Sequence, residues 1–369
     1  MSGVPSDLRR GLITHLAGEL AAAEAAYRLA LGNPALAPAA RHHLIRLLEG
    51  QARWDEALEL RRADCAAAPD DAEAAVGLGM ALLGLGRYGE GWPLFEARKR
   101  LPNVGRYLPR VSYPEWDGRP VGALTVWDEQ GVGDTLQFVR FLPILKARGI
   151  EVTFVCRGEL TSLLGELPVK VVAADQAASL PPADAWAMLD SLPGRMGVTL
   201  ETLPAAMPYL AVPAARRERW AKRIGPGTHI GVVTHGNPRH PNDAHRSLPA
   251  EAAALLLTLP GAVTLTPGAG PLVLEDFADT AAALERMALV ITVDTAVAHL
   301  AGALGRPCWV LLPHLGVDWR WLHERTDSPW YPSLRLYRQP AAGDWASALK
   351  QLGADLPGFF AQAGPPPAG

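Results

Sequence analysis

A chain of 369 residues with 49% hydrophobic and 20% charged residues is longer than one ordinary domain and has enough apolar material for more than one core, which excludes a disordered chain. A formal net charge of −3 gives no overall attraction to phosphate backbones or anionic membranes, so nucleic acid is not expected as a partner. Cys65, Cys156 and Cys308 are scattered among apolar residues at neither zinc-site nor disulfide spacing, and read as buried free thiols. The opening MSGVPSDLRRGLITHLAGEL lacks an apolar core followed by a cleavage site. With no run of about eighteen apolar residues, a cytoplasmic chain with no integral membrane segment is expected.

Residues 1–105 read as helical repeats. The segments GELAAAEAAYRLAL from Gly18, ARWDEALELRRADC from Ala52 and GRYGEGWPLFEARK from Gly86 start 34 residues apart, which is the TPR period. Each places a small residue where helices cross (Ala23, Ala57, Gly91) and a bulky residue or long stem four positions later (Tyr27, Arg61, Phe95). Leu44 and Leu78 share one register of the preceding helix, and Gly11 and Gly79 another; Asp70 or Asp71 caps the helix that DDAEAA opens. About three stacked repeats are the practical minimum for such an array. Its concave face is then a docking groove for a polypeptide, or the array is a structural cap or a dimerisation surface.

Residues 106–215 change pattern. ALTVWDE reads as a buried strand, QGVGD as a tight turn, TLQFVRFLPILKARG as one amphipathic helix and IEVTFVC as a second strand, a βαβ unit. Alternation continues through RGELTSLLGEL, VKVVAA and DAWAMLDSLP, giving a small, mostly parallel Rossmann-like sheet. Gly131 and Gly133 let a ligand approach where strand meets helix. Asp134 is either the N-cap of that helix or a general base facing the cleft at the end of the first strand, with Glu129 as the rival carboxylate.

Residues 216–369 read as a second Rossmann-like lobe, entered through the linking helix AARRERWAKRIG. After the strand HIGVVTHG, the loop GNPRHPNDAHRSLP carries Asn237, Arg239, His240, His245 and Arg246 where α/β loops meet ligands; it suits an anion but not a metal. LVITVD, TAVAHLAGALG and PCWVLLP form another βαβ unit. The free amides at Thr295, Ala296 and Val297 would face a diphosphate with the positive end of the helix dipole. Asp294 is either a site residue or the N-cap. His299, one turn on, either donates to a phosphate oxygen or packs inside as a neutral imidazole. The aromatic- and Arg-rich stretch from Pro313 to Pro340 serves as glue between lobes or as a stacking surface for a base or sugar.

Together GVGD, GNPRHPNDAHRS, DFADTAA, VDTAVAHLAGALGRPCWVLLP and DWRWLHERTDSPWYPSLRLYRQ resemble the bacterial TPR-containing glycosyltransferase-like proteins. Their catalytic part is similar to the heptosyltransferases of glycosyltransferase family 9, and some TPR-fused relatives are implicated in glycosylating proteins, including flagellin. The resemblance runs over nearly the whole chain. It implies an α + α/β fold, TPR repeats followed by a GT-B-like pair of Rossmann-like lobes, and an inverting, metal-independent transferase. No cofactor is implied; a nucleotide sugar is the co-substrate. Asp134 would then be the base that deprotonates the acceptor hydroxyl. Asp294, Thr295, Ala296 and His299 would carry the nucleotide diphosphate, with Gly131, Gly133, Asn237 and Arg239 on the donor side. Arg246 stands where the heptosyltransferases usually show a Lys, and would steady the leaving group. The alternative is a TPR adaptor whose GT-B-like body is inactive; an epimerase would need a G-x-G-x-x-G turn, which is missing.

Overall fold

The computed structural model describes residues 6–266, 268 and 270–363. The chain divides into two compact units, Met1–Leu101 and Pro102–Gly369.

The first unit is helical: α1 (Ser6–Leu16), α2 (Leu20–Ala30), α3 (Ala37–Gly50), α4 (Trp54–Ala67), α5 (Ala72–Gly84) and α6 (Tyr88–Phe95). The second member of each pair begins at Leu20, Trp54 and Tyr88, so each starts 34 residues after the last. Ala23, Ala57 and Gly91 are buried where the helices cross. The approach of α1 to α2 is so close that a Cβ on Gly11 would sit 2.5 Å from the Tyr27 ring. Leu8, Tyr27, Leu44 and Leu48 form one apolar cluster, and Leu58, Leu78 and Leu82 a second. Asp71, not Asp70, caps α5, accepting the amide hydrogens of Glu73 (2.9 Å) and Ala74 (3.3 Å). Arg61 is held by Glu49 at 2.7 Å, a polar substitute for the aromatic contacts of Tyr27 and Phe95.

The second unit contains two parallel sheets. In the first, β1 (Ala123–Trp127), β2 (Glu151–Cys156), β3 (Lys170–Ala173) and β4 (Ala185–Met188) lie in the order β3-β2-β1-β4. In the second, β5 (Ile230–Val233), β6 (Ala262–Thr264), β7 (Leu289–Val293), β8 (Cys308–Leu312) and β9 (Leu334–Arg338) lie in the order β6-β5-β7-β8-β9. Every residue of β5, β7 and β8 is buried, as expected of strands covered on both faces. Strand order reverses between β1 and β4 and again between β5 and β7. Open α/β sheets form ligand crevices at such points.

The segment expected as one helix, TLQFVRFLPILKARG, is broken into Val132–Phe138 and Phe141–Ala147. Pro143 explains the break: it has no N–H to give to the carbonyl of Val139, and its ring crowds that carbonyl. Arg140 occupies the gap, buried, donating to the carbonyls of Gln137 (2.9 Å), Pro204 (3.0 Å) and Trp330 (2.8 Å).

Helix Ala214–Ile224 docks on helix Phe277–Glu285 through Trp220, whose indole donates to Asp279 at 2.9 Å. The DFADTAA motif thus serves the scaffold: Asp276 caps Phe277–Glu285 and Asp279 is a fully buried acceptor. The C-terminal helix Trp345–Ala363 lays Trp345, Ala348, Leu352 and Leu356 on the core of the second sheet. Trp319, Trp321, Trp330 and Tyr331 are buried, and both Trp319 and Trp330 meet Phe138 of the first sheet's helix. The aromatic stretch is glue between the sheets. Cys156 and Cys308 are buried, but Cys65 is only partly so, a correction to the expectation for all three. No helix among the described residues is long and apolar enough to cross a membrane.

Candidate functional site

The loops that leave the carboxyl ends of β1, β7 and β8 converge. A Cβ on Gly133, after β1, would lie 2.9 Å from His299 Cδ2 and 3.6 Å from Ala296 Cα, both after β7. Only a glycine lets the starts of helices Val132–Phe138 and Ala296–Ala303 approach this closely.

On the β1 side, Gly131 is the N-cap and Asp134 stands three residues into the helix. Asp134 is therefore not the cap residue, as one reading of the sequence had it. Its Oδ2 accepts the Gly131 amide hydrogen at 2.8 Å, the reciprocal half of a capping box, while Oδ1 forms an ion pair with Arg320. The rival Glu129 is buried, and its Oε1 accepts the amide hydrogen of Asp190 at 3.2 Å, a tie to the turn after β4. Gln130 between them has φ +55°, a left-handed conformation that costs a non-glycine residue energy. It is held from both ends: its side chain donates to Asp190 (2.7 Å) and its carbonyl accepts from Arg157 Nη2 (2.7 Å). Arg157 Nε also reaches Asp128 Oδ2 at 2.7 Å, and Thr135 donates to Asp128 Oδ1 at 2.5 Å. Burial nevertheless leaves the Asp128 carboxyl above its ordinary value.

On the other side, the loop after β5 separates its cations. Arg239, His240 and His245 are exposed, with Asn237 Oδ1 accepting the Arg239 amide hydrogen at 3.0 Å in a local turn. Arg246 is buried: its Nη1 donates to the Asp294 carbonyl at 2.9 Å and its Nε to Asp243 at 3.1 Å. Gly236 leaves the space for this guanidinium, which a Cβ there would overlap.

After β7, Thr295 and not Asp294 is the N-cap, accepting the Val297 amide hydrogen at 3.3 Å. That frees the buried Asp294 carboxyl for electrostatics. Burial, then the charge of Asp318, pushes it up to about 6, against the charges of Arg246 and Arg320. His299 is buried, stacked on Trp321 with centroids 5.0 Å apart, and its Nδ1 lies 2.9 Å from the Tyr331 hydroxyl. Burial first, then Arg320, pulls it down to about 3, so at neutral pH it is an uncharged imidazole. It can offer a ligand a hydrogen bond but no charge.

Arg320 closes the arrangement. It is 4% exposed, donates from Nη1 to both oxygens of Asp318 (3.0 Å each) and from Nε to Gln137 (2.5 Å), and packs on the ring of Trp319 at 4.5 Å. The surrounding carboxylates, Asp134 first, raise its already high value despite burial. Gly133 meets Ala296 and His299, Asp134 and Asp318 share Arg320, and Arg246 donates to the Asp294 carbonyl, so these residues are brought into one cluster. Asn237 and Arg239 stand on the exposed loop. Sequence reading missed Asp128, Arg157, Asp318 and Arg320. A carboxylate ending a strand was a usable signal for Asp128, but nothing local marked Arg320, whose partner Gln137 is 183 residues away. Among the described residues no group of His, Cys, Asp or Glu is arranged to hold a metal ion.

No protein-family model matches the chain. Protein FlbA of Caulobacter vibrioides is 26% identical over 360 residues, covering 82% of this chain and 59% of its own length, so the chain spans about three-fifths of that relative. Among solved structures, a glycosyl transferase family 9 protein from Veillonella parvula is 14% identical and covers 66% of this chain and 93% of its own, with a TM-score of 0.44. The E. coli ADP-heptose lps heptosyltransferase II is also 14% identical, covering 65% and 99%, with a TM-score of 0.44. E. coli heptosyltransferase WaaC with ADP is 16% identical, covering 65% and 99%, with a TM-score of 0.42.

Proposed function

We propose that the chain is a glycosyltransferase of the GT-B type, which moves a sugar from a nucleotide diphosphate to an acceptor hydroxyl with inversion and without a metal. The observation that carries the reading is that, at the carboxyl ends of two parallel sheets, a carboxylate after β1 meets a helix start made of small residues after β7. In this reading Asp134 takes the acceptor proton. The amides at Thr295, Ala296 and Val297, with Arg246 and a hydrogen bond from His299, hold the diphosphate and stabilise the charge it gains on leaving. Gly131 and Gly133 give the sugar access, and Asn237 and Arg239 close over the nucleotide. The protein acts in the cytoplasm. The six helices of the first unit are TPR repeats that dock a polypeptide acceptor, which the 34-residue interval between their second helices supports.

The test is a thermal-shift panel of ADP, GDP, UDP and CMP, followed by turnover with the sugar of whichever nucleotide binds. A ligand at about a hundred times its Kd contributes about 2.7 kcal/mol and raises the melting temperature measurably. Asp134→Asn should still bind, with a shift at least as large, and lose turnover by at least about a hundredfold. No shift with any diphosphate, or an Asp134→Asn enzyme that still turns over, defeats the reading.

A further inference from the structure

Asp134 is engaged at both oxygens: Oδ2 holds the Gly131 amide hydrogen and Oδ1 is paired with Arg320. A carboxylate in an ion pair is a poorer proton acceptor than the same carboxylate released. Arg320 is the shared cation of two carboxylates, Asp134 on the first sheet's helix and Asp318 after β8. Its plane is set by the Trp319 ring at 4.5 Å and the Phe138 ring at 5.4 Å, so its fork presents fixed donors. It is also close enough for its charge to act on Asp294 and His299, the two side chains that flank the start of helix Ala296–Ala303. Asp134 and Asp318 are already paired with this cation, and the charge of Asp190 acts on it as well. A diphosphate arriving at the helix start adds at least two more negative charges beside these buried side chains, and must compete for the cation.

Resting on the transferase reading above, we propose that Arg320 is a donor-gated positioning residue. Without donor it pairs with Asp134; when the diphosphate binds, the guanidinium turns to the phosphate and releases Oδ1 for the acceptor hydroxyl. The exchange makes and breaks ion pairs only, with no proton or covalent bond moved, and Asp318 anchors Arg320 in both positions. Base competence then depends on a loaded donor, and donor binds before acceptor.

Thermodynamic coupling makes this measurable without turnover. If the diphosphate must break the Asp134–Arg320 pair, removing the Asp134 charge strengthens binding only while Arg320 is present to be released. Binding of ADP, GDP and UDP to the full chain is measured by calorimetry for wild type, Asp134→Asn, Arg320→Lys and the double variant. The amide side chain of Asp134→Asn still accepts the Gly131 amide hydrogen. The expected result is about tenfold tighter binding for Asp134→Asn, about tenfold weaker for Arg320→Lys, and no gain from Asp134→Asn when it is combined with Arg320→Lys. Equal gains with and without Arg320→Lys reveal only a general field effect and overturn the gate, as does no gain while Arg320 is retained. Should Arg320→Lys fail to fold, the difference in emission between the chain and its Trp319→Phe variant decides: a diphosphate-induced change in that difference that Asp134→Asn shows already without ligand supports the gate, and an identical difference in all states overturns it. Absence of diphosphate binding by every variant defeats the transferase reading, and the gate with it.

Discussion

Replacing Asp279 distinguishes scaffold from site. Its carboxylate is fully buried and accepts from the Trp220 indole (2.9 Å), Arg216 Nη1 (2.9 Å) and the Glu275 amide (3.1 Å), and pairs with Arg219. Burial alone would raise its value, but the hydrogen bonds from Trp220, the Glu275 amide and Arg219 outweigh burial and hold it below the ordinary carboxylate range. Asp279→Ala leaves the Trp220 indole N–H facing no acceptor and takes one carboxylate partner from each of Arg216 and Arg219. Breaking a buried pair costs about 3–5 kcal/mol. Arg216 keeps Asp276 at 2.8 Å and Arg219 is partly exposed, so both can rehydrate, and the lower end of that range applies. For a unit of this size, a loss of about 3 kcal/mol lowers the melting temperature by roughly 6–12 °C. Asp279→Asn keeps shape and an acceptor and should lose about half as much. Urea unfolding followed by tryptophan emission measures both. The sign with pH is fixed: because the folded value is depressed, the stabilisation is present above the unfolded value near about 4 and is lost as pH falls through the folded value. The wild-type advantage over Asp279→Ala must shrink in acid. An Ala variant within about 0.5 kcal/mol of wild type at neutral pH, or a gap that ignores pH, refutes the reasoning.

Asp294, with its carboxyl pushed up to about 6, favours the protonated fold, so the stability it supplies is full below about 4 and is lost as pH rises through about 6. Diphosphate binding should tighten as pH falls from about 7.5 to about 5 in wild type beyond any tightening in Asp294→Asn, measured by calorimetry; equal slopes would dismiss Asp294 as an electrostatic partner. Gly133→Ala sets a methyl 2.9 Å from the His299 ring and should destabilise by about 1–3 kcal/mol while disturbing the imidazole, seen in melting and in the His299 NMR signals. A Gly133→Ala variant as stable as wild type would mean the two helix starts are less closely packed than described.

The alternation of apolar runs with helical segments placed all of β1, β2, β5, β7 and β8 in the sequence, because strands buried on both faces read as continuous apolar stretches. The interval of 34 residues was equally visible. Caps were less so: Asp134 and Asp294 each sit beside a helix start, yet Gly131 and Thr295 hold the cap positions, since a shift of one to three residues decides backbone conformation and leaves composition unchanged. The helix break at Pro143 was written in the sequence but overridden there by the amphipathic pattern on either side. Arg320 could not be found, because a buried guanidinium is identified by partners from distant segments rather than by its neighbours in the chain.

The joint built around Arg140 bears on motion. One guanidinium binds carbonyls from three separate segments and lies against the rings of Tyr209 and Tyr331, while Phe138 meets Trp319 and Trp330 alongside. Swinging the two sheets apart as rigid plates would strip the Trp330 carbonyl and the Tyr331 ring from Arg140, and Trp319 and Trp330 from Phe138, and leave a buried charge short of acceptors. The Asn237–His245 segment is bound more lightly, by the Asn242 amide on the Gly316 carbonyl (2.7 Å) and by turns of its own, so it can shift at far smaller cost than the joint.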